Sequence, residues 1–140
     1  IWVGRANAIL VASAGLISEK DANTVERIAE LTAIVGTERK PPFKYRLTNP
    51  IAVVACPKAV AVSHPSAQLT LAVEGLGVTG CLDLCAAEFI RAGVLRHVLA
   101  DRFSIPLEIR LMTPHRRNMR TDPALKAAMT SIDAIPLPPC

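Results

Sequence analysis

The fold turns on how one stretch is read: VEGLGVTGCLDLCAAEFIRAGVL, Val73 to Leu95. Gly75 and Gly77 stand one residue apart inside an apolar run, the spacing of a loop that could cradle a phosphate. Such a loop follows a strand and opens a helix. Here the order is reversed. Upstream, Ala67, Leu69, Leu71 and Ala72 carry the apolar pattern of a helix. Gly75 ends it, because glycine alone takes the left-handed conformation of a helix terminus cheaply. Val78 to Leu82 then reads as a strand, and Leu84 to Ala92 as a second helix stopped by Gly93. The two glycines are a helix cap followed by a tight entry into a strand.

Working outward, Ser63-His64-Pro65-Ser66 offers caps and a proline suited to a first helical turn. Before it, Ile51 to Ala55 and Ala59 to Val62 look like a strand pair around Cys56-Pro57-Lys58. Phe43 to Leu47 alternates as a half-buried strand does, between Pro41-Pro42 and the Asn49-Pro50 turn. Ala8 to Ala12 is a short apolar run with the look of a buried strand. Val25, Ile28 and Leu31 recur at helical spacing behind Asn23 or Thr24 as cap, and Thr32 to Val35 is another strand. Downstream, Val94 to Leu99 and Leu107 to Met112 are strand candidates. Asp122 and Pro123 open a last helix, Ala124 to Ile132, before a proline-rich tail over 134–140. Strands alternating with helices predict an α/β domain with an open, mostly parallel sheet flanked by helices.

Composition agrees. The chain has 140 residues, 51% of them apolar and only 4% aromatic, which suits aliphatic helices laid on a sheet and excludes a disordered chain. A net charge of +4, with its densest group at His115-Arg116-Arg117 and Arg120, is too weak for a nucleic-acid footprint. No apolar run reaches the roughly 20 residues that span a bilayer, and no cleavable signal pattern opens the chain, so the expected location is cytoplasmic with no membrane partner. Cys56, Cys81, Cys85 and Cys140 lack the density of a disulfide framework and the spacing of a zinc site. Reduced thiols, no metal and no cofactor are expected, with Cys81 and Cys85 as small buried hydrophobes.

The run V-x-G-L-G-V-x-x-x-x-D-x-x-A-x-x-x-x-x-A-G-x-L, from Val73 through Asp83, Ala86, Ala92 and Gly93 to Leu95, resembles the signature stretch of the effector-binding domain of LysR-type transcriptional regulators. Ile9 to Leu16 resembles that family's strand ending in Ala-Ser-Pro, Thr24 to Val35 its next helix and strand, Ala61 to His64 the strand leading into the pocket, and Leu107 to Arg117 its late strand. The likeness covers about residues 8 to 133. Two departures stand out: Leu82 replaces the family's usual proline after Gly-Leu-Gly, and Ala14 replaces the proline of Ala-Ser-Pro.

The resemblance implies a periplasmic-binding-protein-like (type 2) fold, with residues 1–102 as the second of two lobes and 103–133 as a crossover strand and helix returning to the first. The chain is expected to start inside that domain. The returning helix would present Leu125, Ala128, Met129 and Ile132 to lobe two or another chain. Trp2 is placed equally well near a hinge or packed on the surface. The implied function is sensing of a small effector, an organic or aromatic acid, between the lobes, in a bacterial regulator that self-associates as a dimer or tetramer and meets DNA only through a helix-turn-helix absent from this chain. The effector-binding positions carried over are Ser63 and His64, Val35 and Gly36, Gly80 and Cys81, and Thr113, with Ser63 and its neighbours' N–H groups offered to a carboxylate.

Each has a plainer role: Ser63 as a turn residue, His64 as a cap, Arg116-Arg117 as a solvated turn. Two other functions stand beside this one, a solute-binding lobe of a transport system and a small enzyme assembling Cys81 or Cys85 with His64 or His97 and Asp83. No strand-turn-helix elbow presents a nucleophile, so the expectation is no catalysis.

Overall fold

The computed structural model describes residues 2–110, 112 and 123–133. Thr113, the His115 to Arg120 basic group, Asp122, Cys140 and the tail lie outside the described residues, as do the side chains of Trp2, Leu125, Met129 and Ile132. Two compact units form, a larger one over Asn7–Ile105 and a smaller one from the two ends of the chain, up to Ala6 and from Pro106 onward.

The larger unit is built on a sheet ordered β5-β2-β6-β1-β7, where β1 is Trp2–Ser13, β2 Ala33–Gly36, β5 Ala59–Val62, β6 Val78–Leu82 and β7 Leu95–Val98. β2 runs parallel to β5 and β6, while β1 runs antiparallel to both β6 and β7. β5, β2, β6 and β7 therefore point one way, with β1 against them. The remaining elements of this unit are α1 (Val25–Ala29), β3 (Lys44–Leu47), β4 (Ala52–Ala55), α2 (Pro65–Val73) and α3 (Asp83–Arg91).

Both faces of the sheet are covered, and β1 and β2 show why their apolar runs are continuous rather than alternating. Leu10, Ala12, Ala33 and Val35 pack on one side with Ile28 of α1 and with Tyr45, Leu47 and Val54 of a small β3-β4 sheet. Ile9, Val11 and Ile34 pack on the other with Ala72 of α2 and Ala86 of α3. Each fully buried Leu or Ile contributes about 2 kcal/mol by leaving water.

The glycine stretch folds as its order requires. Gly75, at φ +87°, turns the chain after α2, and Gly77 brings β6 against β2, its Cα so close to the Thr32 carbonyl oxygen that no side chain fits between them. Val78 N then donates to that oxygen at 2.9 Å. Gly93, at φ +76°, follows the C-cap of α3.

Some expectations need correction. β4 and β5 exist but do not pair with each other. β4 pairs antiparallel with β3, from Lys44 opposite Ala55 to Leu47 opposite Ala52, whereas β5 joins β2 in the main sheet. The β3-β4 ladder carries on to Cys56, whose N–H donates to Phe43 O at 3.2 Å. Pro57, with no N–H to extend it, then redirects the chain. Thr24 occupies the N-cap of α1, yet its side chain makes no capping bond. Cys81, on β6, is only half-buried, and Cys85 is exposed because α3 turns Ala86 and Ile90 inward and position 85 faces out. The proline missing at 14 has a structural counterpart: Ala14 N donates to Val94 O at 2.9 Å, a bond proline could not make, and Ser13 Oγ accepts from Gly15 N to hold the turn.

In the smaller unit β8 (Ile105–Arg110) pairs with β1, and α4 spans Pro123–Asp133 with its proline in the first turn. β8 begins two residues before the expected Leu107.

Replacing Gly77 by alanine should lower stability by about 3 kcal/mol, the upper range for overpacking, because the obstacle is backbone. Gly75→Ala should cost only about 1 kcal/mol, the left-handed penalty. Urea midpoints of the two variants measure the difference, and equal losses would refute this account of the pair.

Candidate functional site

Three parallel strands end side by side. β2 closes on Val35 and Gly36, β5 on Val62 with Ser63 and His64 beyond it, and Gly36 lies opposite Val62 in register. On the other flank Ile34 is opposite Thr79, so Gly80 and Cys81 follow beside Val35 and Gly36. Val35, Gly36, Ser63 and His64 thus lie at neighbouring strand ends, with Gly80 and Cys81 following the last paired residue of β6, but Val35 packs on one face of the sheet and Cys81 on the other; the seventh expected position, Thr113, lies outside the described residues. Carboxyl ends of parallel strands are where open α/β sheets hold ligands.

Their chemistry differs from one to the next. Val35 and Gly36 are buried, whereas Ser63, His64 and Gly80 are exposed. Thr79, fully buried, donates its hydroxyl to Ile34 O at 3.0 Å and ties β6 to β2 just below the site. The Glu38 carboxylate folds over Gly36, filling the space a side chain there would need. The N-terminus of α2 is not the open set of donors expected. Pro65 has no N–H. His64 Nδ1 accepts from Ser66 N at 3.2 Å, and His64 O accepts from Ala67 N and Gln68 N, both at 3.1 Å. His64 is thus the helix cap, and the Ser63 hydroxyl makes no hydrogen bond among the described residues.

Gly80 also belongs to the wall of a pocket of about 510 Å³ in the larger unit, which Arg39, Lys44, Tyr45, Arg46 and Arg102 line as well. Sequence reasoning passed over these five. A signal was present in β3, where Lys44 and Arg46 alternate with buried Tyr45 and Leu47, so that both cations project from the same face of a strand.

Cys81 is not activated as a nucleophile. Burial, then the neighbouring Cys85 and Asp83, push the Cys81 thiol up to about 12, opposite to the depression that a thiolate nucleophile needs. His64 is committed to Ser66. Burial pulls the His97 pKa down, and its Nε2 is buried with no hydrogen-bond partner. Asp83 accepts from Asn7 Nδ2 at 3.2 Å and from Leu84 N at 2.8 Å. Among the described residues no group of three or more His, Cys, Asp or Glu is placed to hold a metal ion, and no helix is long and apolar enough to cross a membrane.

Solved structures share this fold. The full-length structure of AphB, the Vibrio cholerae virulence activator and a member of the LysR-type family, is 26% identical, with a TM-score of 0.63 over 94% of this chain and 45% of its own. The regulatory domain of AphB from Vibrio vulnificus, treated with cumene hydroperoxide, is 19% identical, with a TM-score of 0.65 over 96% of this chain and 67% of its own. The regulatory domain of CrgA, a LysR-type transcriptional regulator from Neisseria meningitidis, is 14% identical, with a TM-score of 0.69 over 97% of this chain and 68% of its own. The chain therefore spans about two thirds of those regulatory domains and under half of the full-length regulator. No family model matches the sequence, and comparison with curated proteins gives no match. The fold is that of the regulatory domain of LysR-type transcriptional regulators.

The raised Cys81 pKa carries a sign. The folded state holds its proton more tightly than the unfolded chain, so the stability it contributes is complete below the ordinary thiol pKa near 9 and is lost as pH rises from there toward about 12. Urea midpoints should therefore fall above pH 9, and less steeply in Cys81→Ala. With iodoacetamide at pH 8, peptide mapping should find Cys85 alkylated well before Cys81; the reverse order would contradict this environment.

Proposed function

We propose that this chain is the effector-sensing part of a LysR-type transcriptional regulator, a cytoplasmic, non-catalytic domain whose task is to bind a small molecule and bias the state of a DNA-binding oligomer. The observation that carries the reading is the alignment of the β2, β5 and β6 carboxyl ends, in a fold shared with regulatory domains. Ser63, His64, Val35, Gly36, Gly80 and Cys81 form the effector-facing edge in this reading, with Thr113 as a further contact. Residues 1–102 are taken as the second lobe and 103–133 as the crossover strand and helix that return to the first. Self-association and DNA contact are assigned to the whole regulator.

Control of transcription by this route needs a ligand with different affinity for two states of the domain. Gly80 suits such a site. A methyl group there would meet Ile9 O at 3.8 Å and Leu10 Cδ2 at 3.9 Å, ordinary contacts, so the bare backbone is not required by packing and leaves room at the pocket wall.

Small carboxylates, aromatic acids and amino acids can be screened by thermal shift, where a true effector raises the melting temperature in proportion to the logarithm of its concentration above Kd. Gly80→Ala should fold with stability unchanged or raised by about 0.5–1 kcal/mol, yet respond less to any active compound. A variant that responds as strongly as the parent would remove Gly80 from the site, and a flat screen combined with hydrolase or transferase turnover would overturn the regulator reading.

A further inference from the structure

The pocket beside Gly80 has an imbalance of charge that the strand ends lack. Arg39, Lys44, Arg46 and Arg102 line it, and no acidic residue does. None of the four makes an ion pair among the described residues, where the pairs found involve Arg27, Arg91 and Arg110. Two of them are nevertheless held in place. Arg39 lies over the Tyr45 ring, 5.3 Å from its centroid, and donates to Lys44 O at 3.1 Å. Arg102 donates to Pro50 O at 2.9 Å. Tyr45 is itself fixed, 4% exposed and packed edge-on against Phe103 at 5.8 Å. Its hydroxyl is buried without a hydrogen-bond partner. Burial raises the Tyr45 pKa, and the Arg39 charge offsets part of that rise.

Four unpaired cations, of which Arg39 is held over the Tyr45 ring and Arg102 on Pro50 O, make a partly preorganised anion site, since for those two the cost of ordering the side chain is already met. The rest of the wall, Ala8, Phe103 and Ile105, is apolar. The strand ends are the poorer place for negative charge, because the α2 donors are taken and Glu38 sits over Gly36.

We infer that the pocket formed by Arg39, Lys44, Arg46 and Arg102 around Tyr45 binds the oxyanion group of a small organic ligand, a carboxylate or phosphate ester with an apolar body. Its volume is that of a small-molecule site. The inference rests on the effector-sensing reading for its regulatory meaning but not for the binding itself. It moves the charged end of the effector away from Ser63, and leaves the strand ends to contact the uncharged part.

The test is thermal shift of the full chain with benzoate and phenyl phosphate, with benzamide as the neutral counterpart of benzoate and sodium chloride at matched ionic strength. Both anions should stabilise saturably and benzamide should not, the stronger of the two identifying carboxylate or phosphate as the natural group. In Arg39→Ala/Arg46→Ala, both exposed positions, the concentration giving half the shift should rise about tenfold or more, as expected for loss of charged hydrogen bonds. Arg91→Ala, which removes an exposed cation outside the pocket, should retain the response to both anions. An equal response to chloride, an unchanged response in the double variant, or no stabilisation by either anion overturns the proposal. Loss of response in Ser63→Ala alone would overturn it too, while leaving effector sensing at the strand ends intact.

Discussion

The approach of two backbones at Gly77 and Thr32 is the constraint on which the rest of the larger unit depends. With no side chain at position 77, the Thr32 carbonyl can accept from Val78 N, which sets Ala33 opposite Val78 and Ile34 opposite Thr79. That register fixes how far each strand reaches. It brings Gly80 and Cys81 level with Val35 and Gly36, and the Thr79 hydroxyl locks the arrangement from within the core. A slip of one residue would turn every side chain of β6 to the opposite face and separate the strand ends that form the candidate site.

Much of this was legible in the sequence because it was written in order and period. The helix-glycine-strand order around Gly75 excluded a phosphate loop and gave α2, β6 and α3 nearly to the residue. Short aliphatic runs marked strands covered on both faces. Pairing was less legible. β4 and β5 are adjacent in sequence and similar in composition, yet they join different sheets, and the choice is made by partners distant in the chain, β3 for one and β2 for the other. The exposure of Cys85 was hidden for a related reason, since a helix of nine residues with a Cys-Ala-Ala run at its centre gives little sign of which of these small residues meets the sheet.

At the site, residue identity located positions but not their commitments. Ser63, His64 and Gly80 were identified by their places at strand ends, where geometry follows from topology. That His64 would cap α2 with its own ring, taking up the Ser66 N–H, depends on a rotamer. The cations of the neighbouring pocket were harder to see, because Arg39, Lys44, Arg46 and Arg102 are scattered over more than sixty positions and converge only after β3 folds back and the chain following β7 returns. Charge counted along the chain was modest, whereas charge counted around the pocket is one-sided.

β5 has a further consequence at the border of the sheet. It is an edge strand, four residues of alanine and valine with Val60 open to solvent, the kind of unpaired ladder on which chains stack into aggregates. Pro57 and Pro65 bracket it, and neither can donate to an incoming strand. The template is therefore too short to propagate, and Lys58 at its threshold adds a charge that an apolar intruder would have to desolvate. This border is thus guarded by the residues that punctuate the turn before it and the helix after it.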